Sequence, residues 1–307
     1  MSLIATLTMN PSLDITTSVD KVRPTEKLRT GPLRHDPGGG GINVSRVVHE
    51  LGGETIAIFP GSGPSAQMID MLLREQDVPF QLVPIEQPTR QSFTVNETSS
   101  GDQYRFVLPG PKLLAQEYRA CLDALERLEE RPEIIVFSGS LPTGTTPDLP
   151  RHVCEWCAKI GAKLIVDMSG PLLKEIGCAY LMKPNHDELE QLAGKPLASD
   201  DDLAGAARQM IASGMTQAVA VSLGEDGAML VTADSVRRYP VIDVPVVSAV
   251  GAGDSMVGGI ALGLIRSLPL EEAMRMGMAA GAAALMSPGT ELARRADFER
   301  LLADYKS

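Results

Sequence analysis

No apolar run in this chain reaches the roughly 18 residues that a membrane span requires, and its opening, Met1-Ser-Leu-Ile-Ala, lacks the basic and apolar regions of a signal peptide. Those five residues read instead as the start of a strand. The expectation is a cytoplasmic protein with no membrane partner. Positive charge is also scarce: 28 basic against 39 acidic residues leave a net charge of −11, which disfavours binding to a phosphate backbone and excludes nucleic acid as the expected partner. Basic residues gathered in one place become informative against that background. Cysteine is limited to Cys121, Cys154, Cys157 and Cys178. The pair Cys154-Glu-Trp-Cys157 has no second pair to complete a zinc site, and it lies in a helical stretch after Pro150, not at a helix start following a strand. Reduced, partly buried thiols are the reading that remains.

Repeats and low-complexity tails are absent as well. The 307 residues, 44% hydrophobic and 22% charged, suit one large α/β domain with a small insertion. Ile134–Phe137, Leu164–Val166, Tyr180–Met182 and Ala218–Val221 read as buried strands. The spacing predicts helices over Leu114–Leu128, Leu149–Ile160, Asp187–Leu192 and Leu203–Ala212. Strands ending on Ser138-Gly-Ser, Asp167-Met-Ser-Gly, Lys183-Pro-Asn and Ser222-Leu-Gly put polar turns on one sheet edge, where open α/β sheets bind ligands. Two segments, about 12–37 and 88–108, are rich in Thr, Arg and aromatics with alternating pattern. They read as inserted antiparallel strands forming a lid. Alternation puts Arg90, Ser92 and Thr94 on one face and Phe93 and Val95 on the other, with Arg105 likewise opposed to Tyr104 and Phe106.

Several signatures of nucleotide and acyl chemistry are missing. There is no G-x-x-x-x-G-K-[ST] loop and no G-x-S-x-G elbow. Gly251-Ala-Gly253 begins a G-x-G-x-x-G pattern, but Met256 occupies the third glycine position and no ribose-binding acid follows at the expected distance. What is present is Ser248-Ala-Val-Gly-Ala-Gly-Asp254, a glycine-rich turn running into a helix. Glycines admit close backbone approach, and free N–H groups at a helix start attract an anion. Asp254 there is also what a helix favours as an electrostatic stabiliser. A second run, Pro37-Gly-Gly-Gly-Gly41-Ile-Asn43, precedes an amphipathic helix over Val44–Leu51. Four glycines lose much backbone entropy on folding, so a ligand or very close packing is expected there, with a plain flexible turn as the alternative.

Gly38–Asn43, Asn185-His-Asp-Glu188 and Gly251-Ala-Gly-Asp254, in that order on an α/β framework, resemble the PfkB family of ribokinase-like carbohydrate kinases over essentially the whole chain. Leu7-Thr-Met-Asn-Pro-Ser-Leu-Asp14 and Tyr104-Arg-Phe-Val-Leu-Pro-Gly110 are similar to the branch that acts on phosphorylated hexoses. The resemblance implies a three-layer α/β/α core with a small antiparallel β-sheet lid. It implies ATP-dependent phosphorylation of fructose 6-phosphate at the 1-hydroxyl, with fructose 1-phosphate or tagatose 6-phosphate as alternative acceptors and a non-catalytic sugar-phosphate sensor as the rival of another class. Asp254 would be the base, and Gly251, Ala252 and Gly253 the anion hole. Asp14, Gly38, Gly39 and Asn43 would hold sugar hydroxyls, and Lys27, Arg90, Arg105 and Ser138 the sugar's phosphate. Lys183, Asn185, Ser222, Gly224 and Gly227 would serve the nucleotide, and Glu188 Mg²⁺ through water. Asn185 and Glu188 equally read as a helix cap, and Ser222–Gly227 as a strand-to-strand turn. Ser248, Val250 and Gly289 match the region where related enzymes hold a monovalent cation such as K⁺; Glu291 stands where close relatives tend to carry a basic residue. A homodimer through the lid is expected, since the aromatic face opposite the arginines needs cover.

Overall fold

The computed structural model describes residues 2–305, so Met1 of the expected opening strand lies outside the described residues. In chain order the strands are β1 (Ile4–Leu7), β2 (Ser12–Val19), β3 (Arg34–Gly38), β4 (Thr55–Gly61), β5 (Phe80–Pro84), β6 (Arg90–Glu97), β7 (Gln103–Val107), β8 (Ile134–Ser138), β9 (Lys163–Asp167), β10 (Ala179–Met182), β11 (Thr216–Ser222), β12 (Ala228–Thr232) and β13 (Val236–Tyr239). The helices are α1 (Gly40–Glu50), α2 (Gly63–Glu75), α3 (Ala115–Glu126), α4 (Asp148–Ile160), α5 (His186–Ala193), α6 (Asp200–Ala212), α7 (Ala252–Ile265), α8 (Leu270–Leu285) and α9 (Arg295–Asp304).

Nine strands form the large sheet in the order β13-β12-β11-β10-β9-β8-β1-β4-β5. Its strands are parallel except at the β11-β12 and β12-β13 pairs. The central strands are continuously apolar because both faces are covered. Leu7, Phe137, Val166 and Val219 face one layer with Leu125, Val153 and Ala207 of α3, α4 and α6. Ile4, Val136, Ile165 and Leu181 face the other with Val44, Val257 and Ile260 of α1 and α7. This is the three-layer ribokinase-like core. Parallel strands bring the ends of β1, β8, β9 and β10 to a common edge, opposite the N-terminus of α7.

A second sheet, in the order β3-β2-β6-β7, stands on that edge. It is mixed, not wholly antiparallel: β2 and β6 run parallel, with Ser12 opposite Arg90 and Glu97 opposite Val19. Both strands leave the large sheet at the same edge, β2 after β1 and β6 after β5, and so run outward together. The hairpins β2-β3 and β6-β7 supply the antiparallel pairs. Its apolar face is covered in one half only. Leu13 and Ile15 are buried with Ile42, Phe59 and Ile69, whereas Phe93, Tyr104 and Phe106 stay exposed.

The glycine run departs from expectation. Helix α1 begins at Gly40, not Val44, so two of the four glycines are its first residues. A Cβ on Gly40 would come 2.2 Å from Ser138 Oγ. Close packing of the helix start on the end of β8 excludes the flexible-turn reading.

Candidate active site

Polar groups from both sheets converge on a cavity of about 340 Å³ at the common strand edge. Its lining includes Asp14, Gly39, Asn43, Arg90, Arg105 and Ser138, together with Asp167, Glu188, Val250, Gly251 and Asp254. Asp254 sits in the first turn of α7, whose N-cap, Gly251, has φ 79°. The Ser255 N–H bonds to the Gly251 carbonyl at 2.8 Å. Of the N–H groups before it, that of Ala252 makes a long 3.5 Å bond to the Ala249 carbonyl, and groups at a helix start of this kind can meet an anion. Asp254 Oδ2 accepts from Asn43 Nδ2 at 2.8 Å. Burial first, then Asp167, push the Asp254 carboxyl up to about 7, against the lowering influence of Asn43 and Lys183.

Lys183 follows β10 and is buried, with Nζ 3.1 Å from Asp167 Oδ1. Burial disfavours its charge, but Asp167 outweighs that and holds the ammonium above its ordinary pKa. A Cβ on Gly253 would lie 3.6 Å from Lys183 Nζ, which puts the cation beside the helix start. Asp167, paired with Ser138 across β8 and β9, is absent from the residues predicted above to act. Its signal was its position at the end of an apolar strand facing that of Lys183.

On the second sheet, strand pairing aligns Asp14, Ser92, Thr94 and Arg105 on one face. Asp14 Oδ1 accepts from Ser12 Oγ at 2.6 Å, and burial pushes its carboxyl up against Ser12, Arg90 and Arg105. Gly38 does not line the cavity; a Cβ there would fall 2.3 Å from Asp14 Oδ2, so its lack of a side chain makes room for that carboxylate. Arg90 donates from Nη1 to Leu108 O at 3.2 Å and from Nη2 to Asn10 O at 3.1 Å. Its buried Nε, like Ser138 Oγ, has no hydrogen-bond partner among the described residues. Orphaned buried donors of this kind are rare unless something else satisfies them.

Lys27 is not brought to the cavity. It lies exposed on the segment 20–33, which leaves the sheet after Val19, at the opposite end of β2 from the Ser12 to Arg90 pair. Val22 N–H to Glu97 Oε2 at 3.0 Å and Gly31 N–H to Ser18 O at 2.8 Å hold the segment there.

Asn185 caps α5 and forms a reciprocal box with Glu188: Glu188 N–H donates to Asn185 Oδ1 at 2.8 Å, and Asn185 N–H to Glu188 Oε2 at 2.9 Å. Glu188 Oε1 remains available to the cavity. No group of three His, Cys, Asp or Glu side chains close enough to hold a metal ion exists among the described residues. Ser222, at the end of β11, and Gly224 and Gly227, on the turn joining β11 to β12, lie outside the cavity, next to Asn185 through an isolated Asn185–Ser222 bridge. Ser248 Oγ donates to Gly289 O at 2.9 Å and accepts from Val250 N–H at 3.2 Å, so these three residues do meet beside the helix start. Glu291 pairs with Arg34 at 2.6 Å and with Arg294.

Comparison with known proteins gives a consistent result. The family model described as pfkB family carbohydrate kinase matches residues 7–296. ATP-dependent 6-phosphofructokinase isozyme 2 of Mycobacterium tuberculosis is 47% identical over 298 residues, 97% of this chain and 88% of that protein. Two crystal structures of Escherichia coli phosphofructokinase-2 superpose over 99% of both chains, the complex with potassium at a TM-score of 0.94 and 39% identity. The complex with fructose-6-phosphate does so at 0.92 and 38% identity.

Proposed function

This chain belongs to the pfkB family of carbohydrate kinases, and we propose that within it the chain transfers the γ-phosphoryl group of ATP to the 1-hydroxyl of fructose 6-phosphate, giving fructose 1,6-bisphosphate and ADP. One observation carries the reading: Asp254, a half-buried carboxylate at a helix start, shares a cavity with Arg90, Arg105 and a Ser138 hydroxyl that has no partner among the described residues. A proton acceptor, an anion site for phosphoryl transfer and a second anion site for the acceptor's own phosphate thus lie together. The activity named for the 47% identical relative supports the same reading.

Asp254 takes the proton of the attacking hydroxyl, and the N–H groups of Gly251, Ala252 and Gly253 receive the charge on the transferred group. Asp14 and Asn43, with the Gly39 backbone, orient the sugar, and Arg90, Arg105 and Ser138 hold its phosphate. Lys183 neutralises the nucleotide's phosphates, and the Ser222–Gly227 turn borders its adenosine. Magnesium held by ATP and, through water, by Glu188 would screen the phosphate charge during transfer. Ser248, Val250 and Gly289 would hold a monovalent cation next to the anion hole. The whole chain is read as one kinase domain whose second sheet, from about 12–37 and 88–108, is the lid. The lid's uncovered aromatics support a homodimer joined there, and the cytoplasm is the compartment that fits these substrates and four free cysteines.

A substrate panel with ATP and Mg²⁺, read by ADP release, tests this. Fructose 6-phosphate should give the highest kcat/KM, and fructose should be poorer by at least roughly 10²-fold, since each charged hydrogen bond contributes about 1.5–3 kcal/mol. Equal turnover of fructose would overturn the phosphate site. Preference for fructose 1-phosphate or tagatose 6-phosphate would overturn the acceptor, and no turnover of any sugar would leave the sensor.

A further inference from the structure

Arg46, on α1, is the most deeply buried arginine near the cavity, with 9% of its side chain exposed. Its contacts are all with acceptors. Nε donates to Gln76 Oε1 at 2.8 Å, Nη1 to Pro37 O and to Asn43 Oδ1, each at 3.2 Å, and Nη2 lies 3.8 Å from Asp36 Oδ1. Asn43, three residues earlier on the same helix face, turns its other terminal atom, Nδ2, to Asp254 Oδ2 at 2.8 Å. A chain of two hydrogen bonds therefore joins a guanidinium that does not line the cavity to the carboxylate read above as the base.

We propose that Arg46 is a positioning residue for phosphoryl transfer, fixing the carboxamide of Asn43 so that its NH₂ and not its oxygen faces Asp254. The inference rests on the reading of Asp254 as the base. A carboxamide can rotate by half a turn with almost no change in shape, so sterics do not choose between its two orientations. Chemistry does: a guanidinium has only donors and a carboxylate only acceptors, and one orientation alone satisfies both. In the other, oxygen meets oxygen at Asp254 and N–H meets N–H at Arg46. Arg46 is itself held by groups from β3 and from the end of α2, and Asp36 is held in turn by Arg34 and Thr290. The orientation of Asn43 is thus set from outside the cavity, before substrate enters.

Four enzymes decide it: the unsubstituted chain, Arg46→Met, Asn43→Ala and the double variant, each measured for kcat, for KM of ATP and of fructose 6-phosphate, and for thermal stability. Arg46→Met should lower kcat roughly ten- to a hundredfold, the scale of a misplaced catalytic group, with KM for ATP within about twofold of the unsubstituted chain. In the Asn43→Ala background the same substitution should cost no further kcat, because the group it orients is gone. Effects on kcat that multiply in the double variant, or an Arg46→Met enzyme with full kcat, would overturn the inference. Should Arg46→Met not fold, Arg46→Gln keeps hydrogen bonds to its neighbours but can present an acceptor to Asn43, and the same two outcomes apply. An unsubstituted chain that turns over no sugar phosphate would instead remove the base reading and this inference with it.

Discussion

A carboxylate that must take a proton at neutral pH works best when its own pKa lies near 7. Asp254 is brought there by burial and by Asp167, being pushed up to about 7. The base acts only when deprotonated, so kcat/KM should fall as pH drops below about 7, by tenfold per unit once Asp254 is mostly protonated. Asp254→Asn should lower kcat at least roughly 10²-fold and remove that acid limb while ATP binding, followed by calorimetry, persists. Near-normal turnover would rule the assignment out. Asp254 and Arg90 could be singled out from the sequence because glycine before an acid and alternation on a strand are local patterns. Arg46 could not, since its role arises from Asn43, a partner met only once α1 is assembled; Asp167 stood out only as the end of an apolar strand, and its pairing with Lys183 shows once the strand edge is assembled. Lys27 shows the converse: its charge is visible in the sequence, but the course of the segment 20–33, which keeps it outside this chain's own cavity, is not.

At the scale of elements, helices α7 and α8 touch almost backbone to backbone. A Cβ on Gly259 would lie 2.5 Å from Met276 O, and one on Gly263 2.6 Å from Ala273 Cα. Gly259→Val should therefore destabilise the protein by about 1–3 kcal/mol, read as a lower urea midpoint, and should lower kcat because α7 carries Asp254. The chain from Gly253 to Leu285 is rich in Gly, Ala and Met, a composition that suits two closely packed helices. Element ends were less legible. Helices α4 and α6 start at Asp148 and Asp200, ahead of the apolar periodicity that announced them at Leu149 and Leu203. Strand β9 extends at both ends onto the charged residues Lys163 and Asp167. Glycines argue against a helix by propensity, yet α1 starts on two of them because Ser138 and Thr8 leave no space for a side chain. The parallel pairing of β2 with β6 depends on where both strands leave the large sheet, which no local pattern encodes.

For the whole molecule, Phe106 is 58% and Phe93 38% exposed on the uncovered half of the second sheet, and a second copy is the cover proposed above. Light scattering at micromolar concentration should give twice the chain mass, and a monomeric mass would sink the dimer. Phe93→Asp with Phe106→Asp should give monomers with weakened fructose 6-phosphate binding, since charge buried in an apolar contact is costly. Among the described residues no helix is long and apolar enough to cross a membrane. The joint between the two sheets bears on how such a dimer would work. Strand β3 ends at Gly38 and α1 begins at Gly40, so one residue, Gly39 at φ 120°, connects them, and Asn43 N–H bonds straight back to its carbonyl at 2.9 Å. Mechanically this is a knuckle and not a tether. Any rocking of the small sheet would not be lost in slack chain there; it would turn the start of α1 and carry Asn43 with it, gearing the proposed grip on the sugar and the alignment of the proposed base to one movement.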